Sequence, residues 1–237
     1  MDFSMDLCKM KVGEVEIKWL GHSGFLIQNS ALGEVSSNGG KIIYVDPYNV
    51  HEGLPKADII LITHSHYDHC SVADLNKIVQ EGTIIVCTPD SQSKIARFEI
   101  PIKMEIVGVN QEIDFGTVKV STLPAYNIDK SFHAKEEDLV GYLIKLKDVI
   151  IYHAGDTDNI PEMEKLTGYN KNFVALLPVG GRYTMTAEEA AEAAKKIKPN
   201  ISIPMHWGSI VGTKDDALEF KELCEEEGLR VEILDKF

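Results

Sequence analysis

Asp58–Ser71 reads DIILITHSHYDHCS and packs three of the chain's eight histidines, His64, His66 and His69, into six positions around Asp68. Imidazoles and a carboxylate are costly to gather in a fold unless something pairs them. A surface cluster would account for the histidines but not for the apolar run IILIT directly before them, which has the continuity of a strand buried on both faces. The cluster therefore sits where a buried strand reaches the surface. Residues two apart on an extended segment point to the same side, so His64 and His66 can reach one ion. Asp68 and His69 follow as the chain turns into a helix and suit a second ion nearby. Histidine and aspartate donors fit zinc, and manganese, iron or cobalt accept the same set.

Working outward, the preceding third is β-rich. EVEIKWL alternates like a half-buried strand, GFLIQ follows across GHS, and SSNGGK reads as a turn before IIYVD. After the cluster, Ser71 and Asp74 make a capping-box-like start, with Asp for the usual Glu. Val72, Leu75, Ile78 and Val79 then recur at helical spacing. TIIVC returns to strand. EIDFG and TVKVSTL predict a hairpin turning at Gly116, and LVGYLIKLKDVIIYHAGD predicts two strands turning at Lys147–Asp148. The last third alternates: FVALLPV as strand, a full capping box from Thr186 to Glu189 opening a helix, NISIPM as strand, a helix ending at Gly228, and RVEIL as a closing strand. Residues 1–9 carry no pattern and are expected to be a frayed lead-in. The rest contains no linker or repeat, so one domain over 1–237 is expected, with sheets in the middle and helices outside.

Composition bounds the function. A chain of 237 residues can bury roughly three quarters of its unfolded surface and needs no covalent staples. Hydrophobic residues at 44% and charged residues at 26% fit a water-soluble domain. No apolar run approaches the ~20 residues of a membrane span, and the N-terminus does not resemble a signal peptide. The four cysteines form no C-x-x-C pair, which predicts free thiols and a cytoplasmic protein. A net charge of −13 argues against a nucleic-acid surface, which needs a basic stripe, but not against a small anionic substrate.

Two further strand ends carry candidate ligands: VIIYHAGDT supplies Asp156 and ISIPMHWGS supplies His206. Each alone fits an ordinary hydrogen-bonded turn, but open α/β sheets gather sites at the carboxyl ends of their strands. THSHYDH, AGDT and PMHWGS, in that order, resemble the metallo-β-lactamase superfamily. WLGHSGFLI resembles its branch of small stand-alone metal-dependent hydrolases, which includes ascorbate-phosphate lactonases and the N-acylphosphatidylethanolamine phospholipase D type. The resemblance runs from Trp19 to Leu234. It implies a four-layer αββα sandwich with two zinc ions between the sheet edges: His64 and His66 on the first, Asp68, His69 and His206 on the second, and Asp156 bridging. It also implies that Asp68 lies beside the shared solvent and can take its proton.

The chain departs from the family's pattern at one place. Where a T-P-G-H phrase would supply the first ion's third histidine, the sequence has TLPAYN, with Tyr126 in the histidine's position. His133, in DKSFHAK, stands at a suitable spacing before GYLI. Two readings stay open: a third ligand, or a loop histidine that meets substrate or solvent. Asp46 and Asp58 resemble the family's inner acidic positions and are expected to orient ligand histidines. His22 is expected either to line the site or to be a packed, hydrogen-bonded residue. His153 is expected to be structural, His51 exposed and Cys70 buried and inert. Arg182 and Tyr183, with Lys130 and Lys135, are candidates for recognising a small anion, against ordinary solvated side chains.

The expected function is metal-dependent hydrolysis of an ester, lactone or phosphodiester in a small molecule, through water activated by two divalent ions, Zn2+ or alternatively Mn2+ or Fe2+. One alternative is a metal-depleted binding module of the same fold, which metal analysis separates. Another is a nucleic-acid phosphodiesterase, for which the chain lacks a basic arm. A redox diiron protein would resemble H-x-E-x-D, and His66 stands where that pattern has Glu. Oligomeric state is not legible.

Overall fold

The computed structural model describes residues 8–29, 40–96, 98–169 and 172–237. Seven strands form the first sheet in chain order: β1 (Lys9–Val12), β2 (Val15–Gly21), β3 (Gly24–Gln28), β4 (Ile42–Val45), β5 (Ile59–Leu61), β6 (Ile84–Cys87) and β7 (Lys103–Ile106). β1 to β4 pair antiparallel, and β4 to β7 run parallel. The parallel half needs crossovers, which contain α1 (Val72–Ile78) and α2 (Pro89–Ile95). The second sheet has the order β13 (Ile201–Met205), β12 (Phe173–Pro178), β11 (Val149–His153), β10 (Val140–Leu146), β9 (Val118–Pro124) and β8 (Glu112–Asp114). α3 (Ala187–Ile197) joins β12 to β13, and α4 (Lys214–Glu226) follows and packs on α3.

The layering follows from alternation along the strands. Ile43 and Val45 of β4, and Ile59 and Leu61 of β5, enter the large core that also holds Val118, Val120, Tyr142, Ile144 and Ile151 of the second sheet. Their odd-man neighbours Tyr44, Ile60 and Ile62 enter a separate core with Leu75, Ile78 and Ile95 of α1 and α2. The first sheet is thus buried on both faces, as the unbroken IILIT run predicts. α3 and α4 cover the far face of the second sheet with Ala190, Ala194, Ile197, Ala217 and Phe220. The result is the expected helix–sheet–sheet–helix sandwich. The Gly116 hairpin is present, with Gly116 at a φ of 81° and its N–H on Asp114.

Several expectations need correction. Lys9, expected in the frayed lead-in, pairs with Lys18 as the start of β1; residues 1–7 lie outside the described residues, as does most of the SSNGGK turn. RVEIL is not a strand. Only Val231 bridges Ser202, after which the chain crosses to the first sheet and Phe237 N–H bonds Trp19. α2 and β7 were not anticipated. PDSQSKI buries only Ser91 and Ile95, and β7 is an edge strand of exposed or half-buried residues, so neither carries a hydrophobic period.

The α1 start also differs from the capping-box expectation. Ser71 does cap the Asp74 N–H, at 3.3 Å. The Asp74 carboxylate, a methylene shorter than Glu, turns to the neighbouring loop and accepts from the Asn49 and Val50 N–H groups at 2.9 and 3.1 Å. It also receives the Ser71 hydroxyl at 2.6 Å and Lys77 at 2.9 Å. One carboxylate therefore ties the 49–50 loop to the helix that follows the histidine run. Asp74→Ala is expected to cost about 2–3 kcal/mol, since it strands two backbone donors and weakens the cap. Urea unfolding tests this, and a loss below about 0.5 kcal/mol, the level of an ordinary surface substitution, would show that the loop does not depend on Asp74.

Candidate metal centre

The histidine run leaves β5 at the carboxyl end of the first sheet, and its geometry begins with Asp46 at the end of β4. Asp46 is fully buried. It accepts from Thr63 N–H at 2.9 Å, the Thr63 hydroxyl at 2.6 Å and His69 Nδ1 at 2.7 Å. This fixes the His69 Nδ1 proton toward Asp46 and turns Nε2 away. The Thr63 hydroxyl has one proton, given to Asp46, so it accepts from His64 Nδ1 at 3.0 Å and leaves His64 Nε2 as a lone-pair donor.

Two groups of donor atoms form. In the first, His66 Nδ1 lies 3.0 Å from His64 Nε2 and 3.1 Å from His133 Nε2. A single N–H cannot serve two acceptors well, so hydrogen bonding alone does not explain three converging nitrogens. Two nitrogens on a tetrahedral zinc stand about 3.3 Å apart, close to this spacing. The second group is His22, Asp68, His69 and His206. His22 Nε2 holds Asp68 Oδ2 at 2.8 Å, and His69 Nε2 is 3.5 Å from the same oxygen.

Asp156 stands between the groups, carried from the end of β11. Its Oδ1 is 3.3 Å from His69 Nε2, and its Oδ2 is 3.1 Å from His206 Nε2 and 3.4 Å from His133 Nε2. His69 Nε2, His206 Nε2 and Asp156 Oδ1 are buried with no hydrogen-bond partner. Orphaned buried donors that face one another are what a cation would satisfy.

Protonation follows the same logic. Burial pushes His64 well below the usual imidazole range, with the charge of His69 adding to it. Burial also opposes a charged His69, but Asp156 and Asp46 outweigh it and raise His69 well above that range. Burial opposes the Asp68 carboxylate too, and the His22 bond and nearby His69 still hold it down to about 2.

The loop expected to carry His133 folds inward. His133 is buried, and its Nδ1 bonds the Tyr183 carbonyl at 3.1 Å. Asn127 donates to the carbonyls of Phe132 and Tyr183, and its N–H to that of His133. Tyr126, in the position of the absent histidine, turns to Glu162 at 2.8 Å. Of the two readings of His133, the geometry puts its ring among the donor atoms; of the two for His22, it puts the ring at the site and also in a hydrogen bond.

Other expected residues lie elsewhere. Asp58 does not orient a histidine: it precedes β5, at the opposite end from the run, and its carboxylate accepts from Ile42 N–H and pairs with Lys41. The Lys130 ammonium is held by Asp158 and Glu189, and Lys135 by Glu162 and the Tyr126 hydroxyl. Arg182 is exposed, its guanidinium 5.2 Å from the Tyr183 ring, and only Tyr183 of that pair lines the cavity at the donor atoms. His153 bonds the Ser23 carbonyl at 2.8 Å from within the core. His51 is exposed, and Cys70 is buried, its thiol pushed up to about 11 by burial.

Sequence reasoning passed over Thr63, although it stands inside the quoted run. It also missed Asn127, whose role depends on contacts across 56 positions, and Asp90 of α2, which accepts from the Ser65 N–H at 2.9 Å.

Comparison with known proteins gives the family. The sequence model of the beta-lactamase superfamily domain matches residues 16–206. The chain is 34% identical to a UPF0173 metal-dependent hydrolase of Nanoarchaeum equitans, over 94% of this chain and 97% of the relative. It is 35% identical to another of Pyrococcus horikoshii, over 88% and 92%. A crystal structure from Parabacteroides distasonis, described provisionally as a metal-dependent hydrolase, superposes with a TM-score of 0.78 at 28% identity, covering 95% of this chain and 96% of that one. The chain belongs to the metallo-β-lactamase superfamily. It is a metal-dependent hydrolase by that membership, and its histidine–aspartate cluster is able to bind metal. Among the described residues, no helix of this superfamily member is long and apolar enough to cross a membrane.

The raised His69 gives a signed prediction. Below its raised value His69 carries a proton that a bound cation must displace, so metal affinity should fall as pH falls, with proton release on binding. Zinc titration calorimetry in buffers of differing ionisation enthalpy measures that release. About one proton released near pH 7 is expected, and buffer-independent heats would show that His69 is already neutral.

Proposed function

We propose that this hydrolase works with two divalent ions, zinc in the first instance, on an ester, lactone or phosphodiester bond of a small molecule. His64, His66 and His133 would hold one ion and Asp68, His69 and His206 the other, with the Asp156 carboxylate standing between the two groups. The observation that carries this reading is the convergence of three imidazole nitrogens at 3.0–3.1 Å beside a second donor group, with one buried carboxylate between. Five imidazoles and two carboxylates favour zinc, while manganese and iron accept the same donors.

When bound, the ions would supply Lewis-acid polarisation of the substrate and a shared water of lowered pKa. The chain's residues do the rest. Asp46 and Thr63 keep the ligand nitrogens of His69 and His64 aimed inward. His22 fixes Asp68 by one oxygen, and Asp68, held ionised, accepts the proton of the attacking water. Asn127 keeps His133 in the ligand set. No serine or cysteine nucleophile is needed. A reducing, cytoplasmic setting is supported by four free cysteines, and a small-molecule rather than nucleic-acid substrate by the net charge of −13.

Activity should vanish with a chelator and return with Zn2+ or Mn2+; hydrolysis by fully demetallated protein would exclude the mechanism. Zinc counting after dialysis tests the assignments. Asp156→Ala should lower occupancy of both sites, because the carboxylate also offsets repulsion between two dications. His206→Ala should weaken chiefly one site, and His133→Ala should lose the other tight one. Wild-type zinc content in Asp156→Ala would reject the bridge. Unchanged zinc affinity in His133→Ala with a raised KM would move that residue to substrate contact.

A further inference from the structure

We infer that the site selects an uncharged substrate, a carboxylic ester, thioester or lactone, with an aromatic or branched apolar group beside its reacting carbonyl. This rests on the metal-hydrolase reading and narrows it. Beside the donor atoms lies a cavity of about 220 Å3 whose remaining walls are Tyr67, Phe132, Tyr183 and Ile210. Among the described residues, no lysine or arginine lines it. Lys214 and Lys236 line a neighbouring hollow, which shares His22 with the second donor group and is walled by Trp19 and Trp207.

Tyr67, Phe132 and Ile210 are 61%, 43% and 37% exposed, three of the eight large hydrophobic side chains left exposed among the described residues. Single exposed apolar residues mean little, but three from separate segments around one cavity form an apolar mouth. Phe132 and Tyr183 meet edge to face, with centroids 4.8 Å apart, so that wall is braced. At roughly 30 Å3 per water, the cavity has the room of about seven waters, enough for one ring or a short branched chain.

Charge decides between substrate classes. Two ions can hold the attacked oxygen of either class. A phosphoryl centre keeps at least one more charged oxygen, which here would face Tyr67, Phe132 and Ile210 with no cation among the described lining residues to pair it, so the walls favour an apolar group over that charge. The lysines nearest in sequence to His133 are occupied by Asp158, Glu189 and Glu162. A carboxyl ester or lactone places its only strongly polar atoms at the ions and its apolar part against the walls.

The test uses zinc-loaded full-length protein whose metal content is measured first. Calorimetry compares acetohydroxamate with phenylacetohydroxamate, which share one metal-binding head and differ by a ring, and with phenylphosphonate. The ring should tighten binding by about tenfold or more, the scale of burying a phenyl group. The gain should disappear in Phe132→Ala and shrink in Ile210→Ala at unchanged zinc content, and phenylphosphonate should bind more weakly than phenylacetohydroxamate. Ile210 lies on a different loop from His133, so it decides the matter if Phe132→Ala disturbs the ligand loop. Equal affinity of the two hydroxamates, or tighter binding of phenylphosphonate, overturns the inference while leaving the metal site standing. A protein that takes up no zinc and binds neither hydroxamate overturns the hydrolase reading, and this inference with it.

Discussion

A carboxylate with no exposure to water, Asp46, is the constraint on which the site depends. Burying an ion unpaired costs several kcal/mol or more, so Asp46 is tolerated only with its three donors in place. Two of them come from Thr63 and the third from His69. The bonds join the end of β4 to the chain just beyond β5 and set the direction in which the histidine run leaves the sheet. They also set the tautomers: His69 directly, His64 through the Thr63 hydroxyl. Local packing thereby becomes chemistry, because a histidine whose outer nitrogen is committed to a donor role has only its inner nitrogen to offer an ion.

The two sheets supply different halves of the centre. His64, His66, Asp68 and His69 leave the first sheet, whereas Asp156 and His206 leave β11 and β13 of the second, and His133 comes from the loop between β9 and β10. The sandwich core of Val45, Leu61, Tyr142 and Ile151 holds the sheets in register, so the donor spacing is a property of the whole fold. Tyr142 adds a direct tie, its hydroxyl donating 2.7 Å to the Ile62 carbonyl across the core. Among the described residues, Asp156 is the one carboxylate that approaches histidines of both groups. Gly155 before it takes a φ of 68° in a space where a Cβ would lie 2.9 Å from the Val140 carbonyl, so the turn that delivers Asp156 leaves no room for a side chain.

Much of this was legible because local pattern and global position agree. The IILIT run announced a strand buried on both faces, and the strand ends at Asp156 and His206 carried ligand-type residues. His133 could be suspected from Tyr126 standing in a histidine's place. What failed lacked a local signal. α2 has almost no apolar period, yet its Asp90 steadies the backbone at Ser65. Asp58 looked like an inner acidic residue by its place before a strand, but a strand has two ends, and Asp58 is at the wrong one. RVEIL alternates like a strand and makes one bridge only, because its last residues are drawn across to β2.

The lysines around His133 show why charge in sequence is a poor guide to charge in a pocket. Lys130 and Lys135 flank the ligand loop and invite an anion-binding reading, but Asp158, Glu189 and Glu162 come from distant segments to neutralise them. In a chain with 37 acidic and 24 basic residues, a lysine near a carboxylate is the expected outcome, and an unpaired one at a cavity wall would be the informative exception. Among the described residues, the walls hold none. Bound dications would then carry the positive charge there, opposed by Asp68 and Asp156. On the proposed reading, the donor atoms at the back would define what bond can be broken, and the apolar loops in front whose bond it is. The two sets of residues interleave in the chain: Tyr67 lies inside the histidine run and Phe132 directly precedes His133, and both face the cavity mouth.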